Sequence, residues 1–171
     1  MKPDLDIYVI DTFNIFVLLR DKSLSGYTLE REIGVSRTTL LKVRSDKEQF
    51  QNLSVGTLLK IQKWMLSKNG KLYFSANANV YNLQTLEDLK KEDIDLYKQI
   101  DLEKISAFIK NPFIKTKLLD KGSGFSPMER SLFRRGEKIL NNMTLKKVTK
   151  IQKLMNQVEE IGLEATMELY A

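Results

Sequence analysis

The side chains in this sequence best spaced for chemistry are cations and short polar groups. Arg37, Thr38, Leu41 and Lys42 recur at spacings that set them on one side of a single α-helix. An arginine fork can bond both acceptors of a guanine edge, and threonine and lysine can reach base edges or phosphates. Ser36, Arg44 and Lys47 flank that stretch. Ser126, Arg130, Arg134, Arg135 and Lys138 form a second set. Hydroxyls and cations of this kind suit phosphate contacts. Two acidic pairs suggest other chemistry. Asp4-Leu5-Asp6-Ile7-Tyr8 and Asp93-Ile94-Asp95-Leu96-Tyr97 each place two carboxylates on one strand face, a spacing a magnesium ion can use. No third carboxylate accompanies them, so neither a metal site nor a cofactor is expected.

Absences narrow the chemistry further. The 171 residues contain no cysteine and no histidine. That excludes a disulfide, a thiolate nucleophile, a Cys/His zinc site and a Ser-His-Asp triad. There is no G-x-x-x-x-G-K-[ST] loop to cradle a nucleotide. The expectation is a protein that is not an enzyme. Lys plus Arg number 28 and Asp plus Glu 22, a net charge of +6. The acid-rich stretch 86–103 splits this excess, most of which lies in 20–71 and 104–153. Hydrophobic residues make up 42% and charged residues 29%, enough for a real core and a soluble surface. No uninterrupted apolar run approaches membrane-spanning length. The start, MKPDLDIYVID, lacks the pattern of a secretory signal. A cytoplasmic location is expected.

An internal repeat organises the chain. Residues 36–65 align without a gap on 126–155, at an offset of 90. Ser36/Ser126, Arg44/Arg134, Asn52/Asn142, Met65/Met155 and the run Lys60-Ile61-Gln62-Lys63 against Lys150-Ile151-Gln152-Lys153 are identical. Ile10-Asp11 matches Ile100-Asp101 upstream. The reading is two copies of one module, roughly 4–68 and 93–158. The corresponding division is a first module over 1–69, a linker over 70–91, and a second module with a C-terminal extension over 92–171.

The elements follow from local signals. Leu5, Ile7 and Val9 alternate as in a short strand. Asp11 caps a helix over 12–21. A short helix over 28–34 stops at Gly34, which takes a left-handed turn at least steric cost. Ser36 caps a helix over 37–44, a loop covers 45–53, and Ser54 caps a helix over 55–67. In the second copy Asp101, Ser126 with Pro127, and Thr144 open the corresponding helices. Two β-prone runs around Asn77-Ala78 suggest a hairpin within 70–82. The tail 159–171 fits either a helix or a strand. The fold class is mainly α with minor β, as two tandem helix-turn-helix modules.

The pattern Thr28-Leu29, Gly34-Val35-Ser36-Arg37-Thr38-Thr39-Leu40, Lys42-Val43-Arg44 and Leu53-Ser54 through Ile61 resembles the helix-turn-helix of phage-repressor-type (Cro/C1, XRE-like) regulators. The resemblance covers about 40 residues of copy one. It implies that the helix from Arg37 enters the DNA major groove, with Arg37, Thr38, Leu41 and Lys42 reading bases. It also implies backbone contacts from Ser36, Arg44, Lys47, Ser126, Arg130, Arg134, Arg135 and Lys138. Copy two departs from the pattern. Gly122, Ser123 and Gly124 weaken its second helix, Arg130 replaces buried Leu40, and Glu129 stands on the outward face. The expected function is sequence-specific binding of double-stranded DNA as a transcriptional regulator, a repressor, of a phage, plasmid or conjugative element. Two alternatives stay open: a protein-binding inhibitor or antitoxin with an autoregulatory module, and an accessory protein at a replication or transfer origin. A homodimer and a protein partner through the second module also stay open. No membrane partner is expected.

Overall fold

A computed structural model of the chain describes residues 9–73, 75, 99–137 and 139–171, with Lys47 described by its backbone alone. The fold is mainly helical with one small antiparallel sheet. The first series runs β1 (Val9–Asp11), α1 (Thr12–Arg20), α2 (Gly26–Ile33), α3 (Arg37–Ser45), α4 (Lys47–Gln51) and α5 (Val55–Met65), with a further helix α6 over 68–73. The second runs β2 (Gln99–Asp101), α7 (Leu102–Lys110), α8 (Thr116–Ser123), α9 (Pro127–Arg134), a 3-10 turn (Ile139–Asn142), α10 (Leu145–Ile161) and α11 (Leu163–Leu169). From the strands through the starts of α5 and α10, the two series keep step at an offset of 90, save that a 3-10 turn replaces α4.

Local capping chemistry sets the starts. The carboxylate of Asp11 accepts from the Asn14 N–H, and that of Asp101 from the Lys104 N–H. Ser36, Ser54, Ser126 and Thr144 accept in the same way from Thr39, Thr57, Glu129 and Lys147. Each side chain satisfies one amide that the helix leaves orphaned. Gly34 and Gly124 follow α2 and α8 with φ of 84° and 73°.

The halves meet through pairs of equivalent residues. β1 and β2 pair antiparallel with Ile10 opposite Ile100. Ser54 bridges Thr144, also antiparallel. The Val55 N–H donates to the Met143 carbonyl at 2.8 Å, and the Leu145 N–H to the Leu53 carbonyl at 2.8 Å. Within each half, Gln62 accepts from the Asp11 N–H and Gln152 from the Asp101 N–H, both at 3.1 Å. Residues that pair with their own counterparts lie about a twofold axis. Here that happens at Ile10/Ile100 and again at Ser54/Thr144. Ile10, Phe50, Leu53, Val55, Ile100, Leu140, Met143 and Leu145 are buried in one continuous core that spans both halves.

Several expectations need correction. Residues 70–73 and 75 are helical, not the first arm of a hairpin; 74 and 76–82 lie outside the described residues. Gly70 is why the chain can turn there. A Cβ on it would sit 2.2 Å from the Trp64 carbonyl oxygen. The Tyr73 ring then lies tilted against that of Trp64, centroids 6.4 Å apart, and its hydroxyl donates to Asp21. The loop 45–53 contains α4, capped by Asp46. The tail is the helix α11, set off by Gly162 and packed on the core through Leu163, Met167 and Tyr170. Gly122 does more than weaken α8. A Cβ there would lie 2.7 Å from buried Leu154, so glycine lets α8 approach α10. Leu5, Ile7 and both Asp-x-Asp-x-Tyr pairs lie outside the described residues. No group of three or more Asp, Glu, His or Cys could hold a metal among the described residues. No helix among them is long and apolar enough to cross a membrane.

Candidate nucleic-acid interface

The first candidate surface is built on α2, its turn and α3. Leu29 and Ile33 on α2, Val35 in the turn, and Leu40 and Val43 on α3 are all buried. They hold the two helices together and fix the rotation of α3. The opposite face of α3 is left in solvent. Arg37, Thr38, Lys42 and Ser45 are exposed, and Leu41 is 66% exposed. The sequence-predicted readers Arg37, Thr38, Leu41 and Lys42 therefore share one open face.

Arg37 is held ready rather than buried. Its Nε donates to Glu30 at 2.7 Å, and its guanidinium lies 5.8 Å from the centroid of the Tyr27 ring. Arg31 approaches the same ring at 5.5 Å. Both partners of the Arg37–Glu30 pair are largely exposed, so the pair holds Arg37 weakly. Tyr27, 57% exposed on the first turn of α2, and Glu30 were not among the residues expected from sequence. The signal lay in their i, i+3 spacing, which puts them on the edge of α2 that faces the start of α3.

Two expected phosphate contacts are structural instead. Arg44 turns inward across the end of α1. Its Nε donates to the Leu19 carbonyl at 2.9 Å, and one terminal nitrogen donates to the carbonyls of Asp21 and Leu24 at 2.7 and 2.8 Å. Burial pulls its pKa below the usual value, while the charge of Asp21 acts the other way. Arg130 is 3% exposed. It donates to the carbonyls of Ile109 and Asn111 and to the Thr116 hydroxyl, each at 3.0 Å. Burial lowers its pKa too, and the charge of Arg134 adds to the effect. Helix ends carry carbonyls without partners, and a planar cationic fork satisfies several at once.

The second surface, on α8 and α9, has different chemistry. Glu129 does not face outward. Its carboxylate accepts from the Ser126 N–H at 2.7 Å and pairs with Lys147 on α10. Burial pushes this carboxyl up, but the Lys147 and Ser126 hydrogen bonds and the Lys147 charge outweigh that and leave it below 4.5. Pro127 is exposed, Met128 is 74% exposed, and Arg134 and Arg135 are exposed on the same short helix or just beyond it. Phe113, in the turn before α8, is 75% exposed. Ser36 and Ser126 both act as helix caps. Lys138 and the Lys47 side chain lie outside what the structure describes. Of the expected set, Arg37, Thr38, Leu41 and Lys42 come together on α3, Arg134 and Arg135 at the end of α9, and Arg44 and Arg130 join neither group. Comparison with known proteins returned no matching family model, no matching curated relative and no matching solved structure.

Proposed function

We propose that this chain binds double-stranded DNA sequence-specifically and works as a transcriptional regulator of the repressor kind, of a type carried by phages, plasmids or conjugative elements. The observation that carries the reading is the open face of α3. A helix with Arg37, Thr38, Leu41 and Lys42 in solvent, set at a glycine turn against a second short helix, can lie in a major groove and reach base edges. Repression needs no further contact surface, because occupying a promoter blocks it.

Selection of bound duplexes from a random pool tests the reading. The expected result is a recurrent motif, bound with a steep salt dependence. With about six phosphates neutralised, affinity falls on the order of a thousandfold between about 50 and 200 mM salt. Arg37→Ala should cost about 1–3 kcal/mol at one base position and little elsewhere. A flat salt response, or no retained duplex, would overturn it. The solvent-exposed Phe113 and Met128 favour a second reading, in which the second half binds a protein target as an inhibitor. In that case a chain without DNA affinity would still capture its target, and Met128→Asp would abolish capture.

A further inference from the structure

The internal pairing has a consequence for the kind of DNA site the chain can fit, provided that α3 reads DNA as proposed above. Ile10 pairs with Ile100, Ser54 with Thr144, and the bonds from Val55 and Leu145 repeat each other across the join. Counterparts that meet face to face are related by a half-turn. A direct repeat would instead relate the modules by a shift along the chain, and equivalent residues would not meet. α3 and α9 are counterparts at the same offset, so the same half-turn relates them. Duplex DNA has its own twofold axes, which exchange its antiparallel strands. A protein twofold laid on one of them presents its two reading helices to half-sites in inverted orientation.

The half-sites must also differ, because the two helices offer different groups. Where α3 presents Arg37, Thr38, Leu41 and Lys42, α9 presents Pro127, Met128, Ser131 and a half-buried Leu132. In the α9 set only the Ser131 hydroxyl can donate, and no cation stands there. Met128, 74% exposed, is an apolar thioether that suits the methyl group of thymine. Arg134 and Arg135 remain exposed near the end of that helix to meet phosphate.

We infer that one chain reads one operator made of two inverted and unequal half-sites, a donor-read half under α3 and a thymine-methyl half under α9. The experiment uses the full chain and the duplex recovered from the random pool. Native mass spectrometry should find one chain per duplex. Flipping the second half-site to a direct repeat should weaken binding by about tenfold or more. Replacing thymines of the second half with uracil, one at a time, should identify a position where loss of the methyl costs about fourfold. Met128→Ala should erase that sensitivity and leave the first half-site unaffected. Met128 is exposed, so the variant keeps its fold. Two chains per duplex, or indifference to the orientation of the second half, would overturn the inference while leaving DNA binding by α3 intact. Uracil indifference at every position would remove the methyl assignment. Failure to recover any duplex would sink the DNA reading and this inference together.

Discussion

Arg44 and Arg130 perform the same task from positions one helical turn apart. Each reaches back to the carbonyls that end the first helix of its half: Leu19 and Asp21 for Arg44, Ile109 and Asn111 for Arg130. These carbonyl pairs are themselves equivalent at the offset of 90. The counterpart of Arg44 is Arg134, which is exposed because Arg130 already fills its place. Arg44→Ala should therefore destabilise the fold by about 2–3 kcal/mol, since it strands part-buried acceptors. Arg134→Ala should change stability by less than about 0.5 kcal/mol. Urea melts of both variants check the contrast. Arg44→Lys should not rescue, because one ammonium cannot serve three carbonyls in that geometry. Glu129 gives a second prediction at this scale. Its carboxyl is held below its ordinary value in the folded state, so it contributes stability above that ordinary value, and the contribution fades as the pH falls through the lower folded value. Glu129→Gln should lower stability at neutral pH and flatten the decline on acidification below about 4.5. A melt series from neutral to acid pH would show it, and parallel curves for the two proteins would refute it. The exposure of Arg37 and Lys42 was legible because helical spacing alone separates them from Leu40 and Val43. The role of Arg44 was not, because it depends on carbonyls 20 to 25 residues earlier in the chain. Identity of Arg44 with Arg134 even pointed the wrong way.

The two helix pairs, α2 with α3 and α8 with α9, depend on left-handed residues at their turns. Gly34 and Gly124 have positive φ, and a Cβ on either would meet no neighbour within 4 Å. Substitution there tests backbone strain without a packing clash. Gly34→Ala and Gly124→Ala should each cost about 1–2 kcal/mol. They should also differ in their effect on binding. Gly34→Ala tilts α3 and should weaken sequence discrimination, whereas Gly124→Ala acts on the donor-poor helix and should spare the Arg37 contact. A calorimetric melt and a binding series over operator variants measure the two effects separately. The helix starts at Asp11, Ser36, Ser54 and Thr144 were readable from the chain because a cap acts over three residues; α2 was expected from Thr28 but begins at Gly26, capped by Ser25. The helix over 68–73 was not readable. Its local composition favours a strand, and what fixes it is tertiary: the absent side chain of Gly70 against the Trp64 carbonyl, and the hydroxyl of Tyr73 on Asp21. Gly122 was misread for the same reason, since its purpose lies on α10.

At the scale of the whole molecule, the join between the halves is a core rather than a contact. Ile10 and Ile100 are wholly buried opposite each other, and Leu53, Val55, Met143 and Leu145 are buried around the second pairing. The sequence repeat suggested two modules on a linker. Flanking strands left room for a meeting of the copies around a pseudo-twofold, but the sequence could not fix this shared interior, because the buried residues around both pairings are apolar in both copies whichever way the modules face. Either half alone would uncover its side of that interior and lose half of each backbone pairing. The expected consequence is one cooperative transition for both halves. The chain provides a direct means to test this, because Trp64 is its sole tryptophan and sits in the first half. Its fluorescence follows that half alone. A Trp64→Phe, Tyr170→Trp variant moves the reporter to the end of the second half. In a shared background, the urea midpoints followed by the two reporters should coincide. Ile10→Ala, introduced into each, should lower stability by about 3 kcal/mol as read from either side, because the cavity opens at the boundary and costs both halves the same folding unit. If Ile10→Ala shifted only the Trp64 transition and left that of the second half in place, the halves would be separate domains. The half-turn that relates α3 to α9 would then lose its rigidity, and with it the reason to expect a fixed orientation between two half-sites.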